Sequence, residues 1–214
     1  MDYQSIMTFI MEMAGTVAFA ASGAMVGAQR GMDIFGVCVL GVVTAVGGGA
    51  TRDIILGIVP PGMFQDPLYT IVATVTSCIV FAVMYWKQEL LEGENRLLYD
   101  KVMLVMDSIG LGVFTVMGVD KGIQQGYAGK MFFLVFLGTV TGVGGGLIRD
   151  IMAGVPPYIF VRHIYACASI VGAVVCVWVY RLFGGVPAMV TGTVVVILIR
   201  YLAAHYRWNL PKLK

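Results

Sequence analysis

Seven apolar runs, each about the length of a bilayer-crossing helix (roughly 20 residues), alternate along the chain with short polar or Gly/Pro segments. They fall at Ile6–Val26, Ile34–Leu56, Leu68–Trp86, Val102–Val119, Met131–Ala153, Ile164–Tyr180 and Val186–Ala204. The pattern predicts an all-α integral membrane protein with seven transmembrane helices. The last run carries Arg200 near its end, where a long side chain is expected to snorkel to the interface. The first run carries Glu12 and no cation precedes it, unlike a signal peptide, so it is expected to stay as the first helix.

Composition supports this reading. Of 214 residues, 59% are hydrophobic and only 12% charged, with a mean hydropathy of +0.88. Half the usual charge cannot cover a water-facing surface, and the same numbers exclude a disordered chain. The net charge of +2 gives no reason to expect nucleic acid as a partner. Cys38, Cys78, Cys167 and Cys176 all lie inside apolar runs without metal-ligand spacing and are expected to be small buried hydrophobes. No metal site, cofactor or enzymatic chemistry is expected, since no nucleophile–base pair or phosphate loop is visible.

Loop charge sets an expected orientation. The side holding the N-terminus carries Lys121, Lys130 and Arg181; the other carries Arg30, Lys87, Arg96, Lys101, Arg162, Arg207, Lys212 and Lys214. The positive-inside rule then puts the N-terminus outside and the C-terminus in the cytoplasm of a prokaryotic inner membrane.

The chain repeats itself. Gly41-Val-Val-Thr-Ala-Val-Gly-Gly-Gly49 matches Gly138-Thr-Val-Thr-Gly-Val-Gly-Gly-Gly146, and the match runs on through Arg52-Asp53-Ile54 against Arg149-Asp150-Ile151. Val59-Pro60-Pro61 and Tyr69 match Val155-Pro156-Pro157 and Tyr165, while upstream Glu12, Gly15, Phe19, Gly23 and Gly27 match Asp107, Gly110, Phe114, Gly118 and Gly122. The chain therefore reads as one membrane domain, residues 1–214: a first repeat over about 6–86, a second over about 102–181, and a seventh helix over about 186–204. Three spans per repeat force the second copy to insert upside down, the inverted-repeat plan of solute-conducting membrane proteins.

Two features of the repeat carry candidate chemistry. Gly47, Gly48 and Gly49, and likewise Gly144, Gly145 and Gly146, lie near the middle of a span. Three glycines weaken a helix, and only one or two of them can face a neighbour, so a kink or break beside a pathway is expected, with helix packing as the alternative. The second feature is charge. Glu12, Arg52, Asp53, Asp107, Arg149 and Asp150 lie inside spans, where charge is costly and normally faces water or a bundle interior. Adjacent residues point ~100° apart on a helix, so Arg52 is not expected to be satisfied by Asp53, nor Arg149 by Asp150. Counting residues from the span centres puts Arg52 ~10 Å and Glu12 ~6 Å toward the same side. A Glu12–Arg52 contact and an Asp107–Arg149 contact are therefore expected, either as pins between helices or as the two ends of a polar pathway. Thr44 and Thr141, one turn before the triplets, either line that pathway or back-bond to their own helices.

With its seven spans, two inverted three-helix repeats and doubled Gly-Gly-Gly-x-x-Arg-Asp motif, the chain resembles the trimeric intracellular cation (TRIC) channel family in its prokaryotic branch. The resemblance covers nearly the whole sequence. It implies a homotrimer in which each protomer holds its own pore for monovalent cations, mainly potassium, with the pore beside Gly47–Gly49 and Gly144–Gly146 and with Arg52, Asp53, Arg149 and Asp150 as adjacent polar residues. Animal members carry a lysine-containing motif where this chain reads Ala50-Thr51-Arg52 and Leu147-Ile148-Arg149, so their phosphoinositide site is not carried over. Bound membrane lipid is the remaining expected partner. The same domain family has also been labelled a glycine transporter, so a carrier of a small amino acid such as glycine stands as the alternative, and a structural membrane protein without a pathway as the third class.

Overall fold

The computed structural model describes residues 3–87, 96–161 and 164–208. Arg162, Lys212 and Lys214, three of the cations used to assign orientation, lie outside the described residues. All seven expected spans are helices: α1 (Tyr3–Gln29), α2 (Ile34–Ile55), α4 (Leu68–Trp86), α5 (Arg96–Gly122), α6 (Met131–Met152), α8 (Tyr165–Phe183) and α9 (Gly185–His205). Two single-turn helices not foreseen from sequence, α3 (Gly62–Gln65) and α7 (Tyr158–Val161), follow the two proline pairs. α5 starts six residues before its apolar run, because the polar stretch with Arg96, Asp100 and Lys101 is helical too. It ends in a wider π-type turn at Ile123–Tyr127.

α2 and α6 stop in the same way, for the same local reason. Gly57 and Gly154 take φ of 72° and 65°, a left-handed conformation that glycine adopts without steric cost. The next amide folds back five residues, Ile58 N to Asp53 O at 2.8 Å and Val155 N to Asp150 O at 3.0 Å, closing a Schellman turn on each helix. Proline follows, so neither helix can continue. At its other end, α2 is capped by Asp33, whose carboxylate accepts from Gly36 N at 2.8 Å.

The bundle is held together where small residues let backbones touch. Gly23 of α1 sits against Gly41 and Thr44 of α2, and Gly118 of α5 sits in the same way against Gly138 and Thr141 of α6. α2 and α6 cross at the centre, where Gly48 lies on the Thr141 carbonyl and Gly145 lies on the Thr44 carbonyl. In a membrane, where burying apolar side chains gains little over lipid, such close approach supplies the association energy. α9 stands outside the repeats and packs on α5 and α8. Large apolar side chains such as Phe35, Ile79, Phe132, Trp178 and Leu198 remain exposed on the outside of the bundle, the surface a lipid phase covers.

The crossing corrects the expectation of a break at the triple glycines. Both helices run unbroken through Gly47–Gly49 and Gly144–Gly146. The central glycine of each triplet serves close packing, because any side chain there would occupy the space of the facing carbonyl.

Candidate functional site

The intramembrane charges gather in two places, on either side of the α2–α6 crossing. On the side of the N-terminus there is an open vestibule of about 320 Å³, lined among others by Glu12, Arg52, Asp53, Asp66, Tyr69 and Lys121. Ala45, Val46, Gly49 and Ala50 form its inner wall along α2. The Tyr69 hydroxyl donates to Glu12 Oε2 at 2.6 Å. Arg52 turns back on its own neighbour, with Nε and Nη2 at 2.9 and 2.8 Å from Asp53 Oδ1. The other Asp53 oxygen accepts from Gly62 N at 2.8 Å, so this carboxylate ties the end of α2 to α3. The vestibule holds three carboxylates against two cations, and Glu12 is held there by a neutral hydroxyl.

The other cluster is closed. Arg149 is fully buried. Its Nη1 donates to Asp107 Oδ1 at 2.7 Å and to the Ser22 hydroxyl, and its Nε donates to Asp150 Oδ1 at 2.8 Å. Asp150 Oδ2 accepts from Tyr158 N at 2.8 Å, repeating the Asp53–Gly62 tie. The resemblance between the two ends then stops. Arg200 of α9 reaches in and donates to Asp107 Oδ2 at 3.3 Å. Its guanidinium lies 4.7 Å over the Tyr165 ring, and that of Arg149 lies 5.1 Å over the Tyr158 ring. Two arginines, two aspartates and two tyrosines thus fill the space that is vestibule at the opposite end. Buried charges are tolerated only when paired and hydrogen-bonded in this way.

Of the expected contacts, Asp107–Arg149 is present. Glu12 and Arg52 do share one vestibule, but they make no ion pair; Tyr69 holds the first and Asp53 the second. The expectation that Arg52 and Asp53, or Arg149 and Asp150, could not satisfy each other is corrected as well. An Arg side chain is long enough to curl past the angular gap, and each Asp is fixed by a backbone N–H beyond the helix end. Arg200 does not snorkel: it is 2% exposed, because α9 lies against α5 and turns this position inward. Thr44 and Thr141 are fully buried and back-bond to Leu40 O and Leu137 O, both at 2.6 Å. They belong to the crossing and do not line the vestibule.

Sequence reasoning missed Tyr69, Tyr165, Tyr158, Ser22, Lys121 and Arg200 as site residues. The tyrosine pair recurs at matching repeat positions, and Arg200 is a cation within an apolar span; both were usable signals. Ser22 and Lys121 look like any polar residue on a helix, and only the packing brings them in.

Three comparisons place this architecture among known proteins. The family model described as Glycine transporter matches residues 9–85 and 104–181. The UPF0126 inner membrane protein YadS of Escherichia coli is 39% identical over 209 residues, 96% of each chain. Among solved structures, one concerned with conductance through TRIC cation channels superposes with a TM-score of 0.80 at 32% identity, covering 96% of each chain. The TRIC trimeric intracellular cation channel orthologue from Rhodobacter sphaeroides gives 0.82 at 27%, covering 94% and 98%. The chain belongs to the glycine-transporter/UPF0126 family of multi-pass membrane proteins and is built on the prokaryotic TRIC channel fold.

Proposed function

We propose that this protein is a cation channel, permeable to potassium, acting as a homotrimer with one pathway in each protomer between its two repeats. The observation that carries the reading is the pairing of an open, carboxylate-rich vestibule at one end of the α2–α6 crossing with a sealed Asp107–Arg149–Arg200 cluster at the other. A pathway with one mouth wet and the other blocked by ion pairs has the form of a closed channel. Its arginines do not repel an entering cation as free charges would, because each is neutralised by an aspartate. Similarity to structures described as TRIC cation channels supports the same reading, and the trimeric description of the Rhodobacter sphaeroides orthologue supports the assembly.

In the orientation given by loop charge, the vestibule faces outside and the sealed cluster faces the cytoplasm. Cations gather at Glu12, Asp53 and Asp66, pass Gly49 and Ala50 along α2, and cross only when the bonds of Asp107 to Arg149 and Arg200 part. The test is single-channel recording of purified protein in planar bilayers, with potassium on both sides. Discrete potassium currents are the expected result. Silent bilayers together with saturable, proton- or sodium-linked glycine uptake into liposomes would overturn the channel reading in favour of a carrier.

A further inference from the structure

Outside the charged clusters, the bundle brings two of its four cysteines together. Cys38, near the start of α2, and Cys78, midway along α4, have their Sγ atoms 3.4 Å apart, and both thiols are free. Neither is buried as the sequence led one to expect. Cys38 opens into a lateral groove of about 460 Å³ walled by Ile34, Phe35, Val42 and Val43, with Thr74 its other polar side chain. Phe35 beside it is 75% exposed and Ile79, next to Cys78, is 59% exposed, so this face of the bundle presents an apolar surface.

We propose that Cys38 and Cys78 are a site of reversible disulfide formation, oxidised from the bilayer by lipid hydroperoxides. A disulfide needs its sulfurs at about 2.05 Å, so forming one closes the present 3.4 Å separation by roughly 1.3 Å. One sulfur attacks the distal oxygen of the hydroperoxide. The O–O bond breaks, the alkoxide takes the thiol proton and leaves as the alcohol, and a sulfenic acid remains. The second sulfur then attacks the sulfenyl sulfur: the S–O bond breaks, the S–S bond forms, and the hydroxyl leaves as water with the second thiol proton. Two thiols lose two electrons and one peroxide is reduced. The product clamps α2, which carries Thr44, Gly48 and Arg52, to α4, which carries Tyr69. The clamp does not depend on what the pathway carries.

The experiment treats the protein in liposomes with cumene hydroperoxide, then alkylates free thiols with a maleimide and maps the peptides by mass spectrometry. The expected result is joint loss of labelling at Cys38 and Cys78, a peptide linking α2 to α4, an intact mass lower by two hydrogen atoms, and reversal by dithiothreitol. In Cys38→Ala, no linked peptide forms and Cys78 keeps its thiol or carries an oxyacid. Continued labelling of both cysteines after treatment, or oxyacids on each without a linked peptide, would overturn the proposal. Equal rates with hydrogen peroxide added to the aqueous phase would overturn the bilayer route.

Discussion

Adding one methyl group at each position of the first glycine triplet gives three different expected outcomes. At Gly48, a Cβ overlaps the Thr141 carbonyl oxygen and lies 3.2 Å from the carbonyl carbon and 3.3 Å from Gly145 N. These are backbone atoms of the crossing helix and cannot turn aside. α2 and α6 must part along their contact, and overpacking of this kind costs about 1–3 kcal/mol. The better helix propensity of Ala offsets at most about 1 kcal/mol. Gly48→Ala should therefore lose up to roughly 2 kcal/mol net, a fall in Tm of up to about 8 °C for a chain of this size. At Gly47 the nearest atom is Ile148 Cδ1 at 3.0 Å, the end of a flexible side chain, and Gly47→Ala should be near neutral. At Gly49 the nearest is Arg52 Nη2 at 3.7 Å, an ordinary contact, and Gly49→Ala should be neutral or stabilising. The assay is thermal unfolding in one detergent, followed by loss of monodisperse protein. Adding Gly145→Ala to Gly48→Ala should cost less than the sum of the two single changes, since the helices have already parted. If Gly48→Ala unfolds at the parental temperature while Gly49→Ala falls below it, the crossing is not the tight point and the reasoning fails.

The charged clusters give two further predictions. Asp107→Asn removes the carboxylate that both Arg149 and Arg200 bond; it should cost about 3–5 kcal/mol, the usual penalty for removing one partner of a buried ion pair, and show as a collapse in yield of folded protein. Arg200→Gln, which leaves Arg149 on Asp107, should cost visibly less in the same assay. In bilayer recordings, Glu12→Gln should reduce potassium conductance at low ionic strength, and the deficit should fade towards 1 M salt as screening shortens to about 3 Å; a deficit that does not change with salt would argue against a vestibule that concentrates cations. Tyr69→Phe keeps the charge but removes the hydroxyl bond to Glu12, and should change conductance less than Glu12→Gln.

The spans were legible because a bilayer demands long apolar runs, and the repeat because glycine, proline and charge recur in one order. Asp107–Arg149 followed from depth counting on matched positions. Glu12–Arg52 did not, because counting along a helix gives depth and says nothing of a competing partner next door. The break expected at the triple glycines is absent for a related reason: sequence gives a helix weakened by glycine, whereas the facing carbonyls of Thr141 and Thr44, which Gly48 and Gly145 accommodate, lie on another helix. Arg200 was placed at the interface because an arginine near a span end normally faces the headgroups; only the packing of α9 on α5 turns it towards Asp107. Tyr69 and Tyr165 were marked only by their matching repeat positions, and Tyr158 by nothing in the sequence; the fold makes all three partners of the carboxylates and guanidinium groups.

The crossing of α2 and α6 has a consequence for how the two halves of the chain are tied together. Gly48 meets the carbonyl of Thr141 and Gly145 meets the carbonyl of Thr44, so each half presents to the other the patch it receives. That is the isologous contact of a two-fold dimer, here written into one polypeptide. A bulky residue at either copy is obstructed by its opposite number, and neither half can drift there alone. At the sealed and open ends no such reciprocity holds, because α9 contributes Arg200 to one end only. The centre of the molecule is therefore bound to symmetry while its two mouths are free to specialise.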